Sequence, residues 1–391
     1  MLGAIYIGLS GLQAYSEGLQ KVSNNVSNLN SQGFKTSTIT FSNLQGRTDT
    51  GGISLQNGSL GTGGGVGLAR TTLDFKAGEL RQTDKDLDIA INGTGLLVLQ
   101  RGIEVRYART GSFEVDKDGF IVMSGSDWRL ATLDSAGRAV ALSVDPSRTN
   151  PPLATTKIVF SDNLSSTATT YGVSDLPIYD ASGTKHVWQV AFSRADTSSD
   201  WLVKVTDDKA KVIGEQTLKF SSSAPTAETS KLTYTDTDSG LSVLFDFSSG
   251  VTSFSGGTLS TLRAASTDGH AVGSVTTIAV NGKGELELTY SNNEKKQLGA
   301  VAVASFRDPT SLTQESAGLF KAADGADVAL LASDDTRVGT VVSRRLEASN
   351  VDLSKEFGDL ILIQRGYQAS SQIVSTANDM IQQLFGIRGQ G

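Results

Sequence analysis

His186 and His270 are the only imidazoles in the chain. A serine-type hydrolase needs a histidine beside its nucleophile. Neither histidine lies in a nucleophile-elbow or metal-ligand spacing. His186 shares a strand face with Trp188, Val190 and Phe192 and reads as a half-exposed strand residue, and His270 in Asp268-Gly269-His270 reads as a turn. The chain has no cysteine, which removes disulfides and thiolate metal sites. Asp116-Lys117-Asp118-Gly119 begins like a calcium loop but lacks the later acidic ligands of an EF-hand, so it is read as a hairpin turn. The run Gly61-Thr62-Gly63-Gly64-Gly65-Val66-Gly67 could cradle a phosphate only with a preceding strand, a following helix and a Lys-Ser/Thr pair. None is present, and the run is read as part of a connecting segment. The 41 acidic residues supply carboxylate pairs by chance alone, which does not define a glycosidase. No catalytic, cofactor-binding or metal residue is assigned, and no cofactor is expected.

The elements that remain are structural. At 391 residues the chain can bury a large core and is expected to hold two or more domains. Its net charge of −7, from 34 basic and 41 acidic residues, argues against nucleic acid as a partner, because phosphate binding draws on clustered Lys and Arg. No apolar run approaches the roughly 18 residues of a transmembrane helix, so membrane insertion is not expected. The N-terminus lacks the basic region and continuous apolar core of a secretory signal. Forty-two glycines, 6 prolines and only 19% charged residues suit a β-rich, turn-rich middle.

Both ends carry a different period. Leu2, Ile5, Leu9, Leu12, Ser16, Leu19, Ser23 and Val26 step by three and four. So do Leu353, Glu356, Leu360, Ile363, Tyr367, Ser370, Val374, Ala377, Ile381 and Leu384. A 3.5-residue repeat predicts a coiled-coil seam on each helix. The second helix is expected to run from Asn350, with Asn350 or Asp352 as the N-cap, to a stop at Gly386. Gly3, Gly8, Gly11 and Gly18 weaken the first helix by roughly 1 kcal/mol each relative to alanine. A covered apolar seam residue returns roughly 1.5–3 kcal/mol. The helix should therefore be weak alone and stable when packed, and its small residues would let helix backbones approach closely.

The stretch that follows is more specific. Asn24, Asn25, Asn28, Asn30, Gly33, Phe34 and Lys35 match the N-terminal signature of the bacterial flagellar axial proteins, the rod and hook family, roughly S-N-N-hydrophobic-A-N-x-N-T-x-G-F-K. Ser27 stands where that pattern has Ala, and Ser31 where it has Thr. Asp88-Ile89-Ala90-Ile91-Asn92-Gly93-Thr94-Gly95 is similar to the family's D-x-A-I-x-G-x-G motif, and Tyr107-Ala108-Arg109-Thr110-Gly111-Ser112-Phe113 to its Y-T-R-x-G-x-F motif. Leu96-Leu97 replaces two aromatics there. Leu346-Glu347-Ala348-Ser349-Asn350-Val351-Asp352-Leu353 matches L-E-x-S-N-V-D-L, and Gln364-Arg365-Gly366-Tyr367-Gln368-Ala369 matches Q-R-x-Y-Q-A. Gly366, unusual within a helix, marks a bend or a close contact.

Between the ends the period is two. Leu87–Ile91, Leu96–Leu99, Tyr107–Val115, Phe120–Val122 and Trp128–Leu133 are predicted strands. Pro146, Pro151 and Pro152 mark a boundary. An independent all-β insertion follows, with strands near Lys157–Phe160, Val187–Phe192, Trp201–Val205, Thr217–Phe220 and Leu241–Phe247. A hairpin at 278–288 and a strand from Leu298 to Phe306 return to the first β domain. The expected class is a multidomain, mainly β protein with α-helical termini. Residues 1–30 and 350–391 form a helical coiled-coil domain, 31–70 a Gly-rich connection, 71–145 and 275–349 a discontinuous β domain, and 146–274 an inserted outer β domain.

The resemblance covers roughly the first 130 and last 110 residues. It implies a structural subunit of the flagellar hook that assembles into a flexible helical tube of identical subunits and transmits motor torque. It also implies export by the type III apparatus without a cleaved signal, a location in the extracellular flagellum, the rod as proximal partner, the hook–filament junction protein as distal partner, and a hook cap during assembly. Rod members generally lack a large insertion, which favours hook over a distal-rod subunit. A carbohydrate-binding or adhesin module would account for the middle of the chain but not for its two helical seams.

Overall fold

The computed structural model describes residues 2–43, 65–68, 71–195, 198–257 and 259–388. Most of the glycine-rich connection, including Gly46, Gly51, Gly52, Gly58 and Gly61 to Gly64, lies outside the described residues, as do the side chains of Leu2 and Leu384. The protein is mainly β, with one long helix at each end: α1, Leu2–Ser27, and α2, Leu353–Arg388. By internal contacts it divides into two units. The first comprises Met1–Asp145, Ile278–Glu287 and Gln297–Gly391, and the second Pro146–Thr277 and Leu288–Lys296.

The first unit is built on an antiparallel sheet. Its path runs Leu312–Gln314, Leu319–Ala322, Glu104–Ala108, Leu96–Arg101, Arg129–Leu133, Ile121–Met123, Thr110–Val115, Asp88–Asn92, Thr340–Ser343. Leu96, Leu97, Val98 and Leu99 are all buried, as a continuous apolar run requires of a central strand. Leu96 packs in this core with Ala302, Ala304 and Phe320 around it, and Leu97, its neighbour on the same strand, is fully buried as well. In the Asp116 turn, Asp116 Oδ1 accepts the backbone N–H groups of Asp118 and Phe120 at 2.9 and 2.7 Å. The same device, a carboxylate or amide oxygen gathering the N–H groups two and four residues on, recurs at Asp134, Asp207 and Asn281. The predicted single strand Leu298–Phe306 is two strands, Lys295–Ala300 and Ala302–Phe306. Gly299 at φ +138° places the break in a conformation that a side chain would resist.

The second unit is all β. Thr170–Tyr179, Lys185–Ser193, Trp201–Thr206 and Val212–Leu218 form an antiparallel meander. A second sheet runs Lys231–Asp236, Leu241–Asp246, Lys157–Asn163 and Val251–Thr252. Its strands Leu241–Asp246 and Lys157–Asn163 pair in parallel. Trp188, Val190 and Phe192 point into a shared core with Phe160, Phe245 and Phe247, and the Phe160 and Phe247 rings stack at 4.6 Å. His186, on the same strand, is half-buried, with Nε2 3.4 Å from Asp180 Oδ2. His270 Nδ1 sits 3.0 Å from Ala271 O and 3.1 Å from Asn292 Nδ2.

Candidate functional site

Lys35, Arg109 and Glu347 lie in three motifs that are remote in sequence, and all three side chains are buried together. Each charge follows a buried apolar or small residue, Phe34, Ala108 and Leu346, so the backbone that carries it is already committed to the core. Lys35 Nζ donates to Glu347 Oε1 at 2.5 Å and to Lys76 O at 2.6 Å. Arg109 Nε donates to the other carboxylate oxygen of Glu347 at 2.9 Å. The rest of the guanidinium reaches the carbonyls of Gly95, Ile91 and Gly93, which fixes the turn between two core strands. Gly78 N also donates to Glu347 Oε1, at 2.8 Å. A buried ion cluster is tolerable only when its hydrogen-bonding capacity is filled in this way. Burial pushes the Lys35 ammonium below its ordinary range, and the neighbouring Glu347 carboxylate acts against that shift.

Around this cluster the asparagines act as clamps. Asn350 Oδ1 accepts from Thr36 N and Thr36 Oγ1, both at 2.8 Å, while its Nδ2 donates to Asp74 O and Lys76 O. Asn25, 1% exposed, accepts from Ser37 N and donates to Ser37 O and to Glu356 Oε2, each at 3.1 Å. It thereby fastens α1 to the strand Ser37–Thr38 and to α2. Burial raises the Glu356 carboxyl above its ordinary 4.5, and the Asn25 amide opposes that rise. Asn28 Nδ2 donates to Asn24 O and Asn24 Oδ1, satisfying groups at the end of α1. Gly33, at φ +66°, donates its N–H to Glu347 O at 2.8 Å. Ser349 Oγ accepts from Val351 N, and Asp352 Oδ1 accepts from Ser354 N at 2.9 Å as the N-cap of α2. Asn30, Gln364, Arg365 and Gln368 are exposed and take no part in this junction. Asn350 therefore does not start α2, and the helix continues through Gly386 to Arg388.

The two helices pack antiparallel. Gly8 faces Val374, Gly11 faces Ser370, Gly366 faces the Tyr15 ring and Gly18 faces Ile363. A Cβ on Gly8 would lie 2.6 Å from Val374 Cγ2 and 3.2 Å from the Ser370 carbonyl oxygen. On α1 the buried positions are Gly8, Gly11, Ala14, Gly18, Val22 and Asn25. Five of these sit one residue before a predicted seam position, and Ala14 sits two before Ser16. The reason is the choice of marker: the largest apolar side chains define the sequence pattern, whereas close backbone approach selects the smallest. Ile5, Leu12, Leu19 and Val26 are half-buried beside the contact, and Leu9 is exposed. On α2 the predicted positions Ile363, Ser370 and Ala377 are buried and Leu360, Val374 and Ile381 half-buried, while Leu353 and Tyr367 are exposed. Gly366 takes the inward place beside Tyr367.

This pairing leaves much of the apolar surface uncovered. Tyr6, Ile7 and Leu9 on α1 and Phe357, Ile361, Leu362, Ile373 and Met380 on α2 are all more than 40% exposed, Tyr6 reaching 71% and Leu362 69%. These exposed apolar side chains are spread along both helices, from Tyr6 to Leu9 on α1 and from Phe357 to Met380 on α2. Among the described residues no group of His, Asp and Glu is arranged to hold a metal ion, and no helix is long and apolar enough to cross a membrane.

Comparison with known proteins agrees with the motifs. A family model described as flagellar basal body rod FlgEFG protein C-terminal matches residues 342–387. The flagellar hook protein FlgE of Salmonella typhimurium is 27% identical, over 97% of this chain and 98% of the relative. That of Escherichia coli is also 27% identical over the same shares, and that of Treponema pallidum is 22% identical over 99% of this chain and all of the relative. Among solved structures, the crystal structure of the Helicobacter pylori flagellar hook protein FlgE2 covers 67% of this chain and 96% of that one, at 13% identity and a TM-score of 0.46.

Proposed function

We infer that this chain, a member of the flagellar rod and hook axial proteins, is the structural subunit of a flagellar hook, polymerised into a flexible tube that carries torque from motor to filament. The relatives named as hook proteins match it across nearly the full length, so the inserted unit is included in the likeness. That favours the hook over a distal-rod subunit and over an adhesin.

The observation that carries the mechanism is the uncovered apolar surface of α1 and α2. Each such side chain gains roughly 1.5–3 kcal/mol when covered, and in a polymer of identical subunits the cover comes from the terminal helices of neighbours. Leu2, Ile5, Leu9, Leu12, Leu19, Val26, Leu353, Leu360, Ile363, Tyr367, Val374, Ile381 and Leu384 are the proposed assembly residues. Ile363 also serves the contact within the chain. The buried junction then couples this helical core rigidly to the β unit, so that force on one is transmitted to the other. The proposed partners beyond identical subunits are the rod, the hook–filament junction protein, the cap and the type III export apparatus. The role is structural, with no catalysis. Deleting 1–28 or 352–391 should abolish tubes in electron micrographs of purified protein, and tubes of normal form would refute the role given to the helices.

A further inference from the structure

We propose that residues 340–356 are a closing strap, locked by Glu347, and that the first unit takes its native shape only when this strap joins it. The ties of the strap run back to the early part of the chain. Thr340–Ser343 pairs with Asp88–Asn92, and Arg345–Glu347 pairs with Leu80–Gln82. Glu347 binds Lys35 and Arg109, 312 and 238 residues away, and its carbonyl receives the Gly33 N–H. Asn350 ties down Thr36, Asp74 and Lys76, and Glu356 reaches Asn25, 331 residues away.

Without the strap these early partners lack what their burial requires. Lys35 and Arg109 are 0% and 1% exposed, and Glu347 is the carboxylate that pairs with both. A buried cation without its counter-charge strongly disfavours the state that buries it. The turn at Gly33–Lys35 and the strands around Arg109 therefore wait for a carboxylate from position 347. The strand Asp88–Asn92 likewise keeps one open edge until Thr340–Ser343 covers it.

The second unit has no such dependence. Its core cluster is apolar and lies wholly between Ile158 and Leu262. Pairings between near residues form faster than pairings across hundreds. A chain made from its N-terminus thus has the second core in hand while residues 25–115 still wait for the strap. The arrangement checks completeness, since a chain that stops short of Glu347 cannot close its first unit. This property belongs to the single chain and does not depend on the hook reading.

Refolding of the full-length chain from urea, followed by pulsed amide exchange and mass spectrometry, tests the strap. Lys157–Asn163, Lys185–Ser193 and Leu241–Asp246 should gain protection in an early phase. Asp88–Asn92, Leu96–Arg101 and Thr110–Val115 should gain it later, in the same phase as Thr340–Ser343 and Arg345–Glu347. Protection of the strands between 88 and 115 ahead of the strap would overturn the proposal. Glu347→Gln keeps the shape of the side chain and removes its charge. It should slow the later phase at least about tenfold and leave the early phase unchanged, whereas a residue that only stabilises the finished fold would speed unfolding instead. A variant that protects the second unit but never the first is the limiting form of the expected result. A later phase of wild-type rate in Glu347→Gln would overturn the role of Glu347 as the lock.

Discussion

Glu347 holds two cations and a backbone N–H in a site closed to water. Glu347→Ala strands Lys35 and Arg109 without a counter-charge and should cost roughly 3–5 kcal/mol, read as a fall in the urea midpoint. Glu104→Ala, which breaks a solvent-exposed pair with Arg101, should leave that midpoint unchanged. Glu356 makes the opposite kind of prediction. Its carboxyl is raised above 4.5 in the fold, so the native state binds its proton more tightly than the unfolded chain does. Its ionisation penalty is complete above the folded value and fades as pH falls toward 4.5. Glu356→Gln should therefore stabilise the protein at neutral pH, and the difference from wild type should shrink on acidification. A difference that stays flat from pH 7 to 4.5 would show that Glu356 does not titrate against the fold.

The helix pair rests on glycines that disfavour each helix by itself. Gly8→Ala separates the two effects. In an isolated peptide of residues 1–28 the substitution should raise helicity, by roughly 1 kcal/mol of propensity. In the full chain the added Cβ meets Val374 and the Ser370 carbonyl and should lower stability. Gains in both settings would mean that the close approach is not what holds the pair. The period of these helices was legible because three-four spacing survives whichever residue marks it. The one-residue displacement was not, since Gly8, Gly11 and Gly18 show no hydrophobic signal. The same holds at the junction: Lys35, Arg109 and Glu347 each stood inside a recognisable motif, but nothing local tells that charges 238 and 312 residues from a common partner will meet. Their position next to buried apolar residues was the available clue. The β strands around Trp188 and Leu96 were readable from alternation and from a continuous apolar run. The kink at Gly299 was not, because its apolar flanks continue smoothly through it.

For the whole molecule, the central claim is that the order of α1 and α2 is completed by neighbouring subunits, while the β units are stable in the single chain. Their cores differ accordingly. The second unit buries Trp188, Trp201 and five phenylalanines in one continuous cluster, whereas the helices leave Tyr6, Leu9, Phe357 and Leu362 to water. Limited proteolysis of the monomer should therefore trim both ends and spare the β core, and equal resistance along the chain would speak against this division. Amide hydrogen exchange, compared between monomer and assembled tube, tests the claim most directly. The account predicts that residues of α1 and α2 gain at least about a hundredfold protection on assembly while the strands of the β cores change little. Helices already as protected in the monomer as in the tube would contradict it.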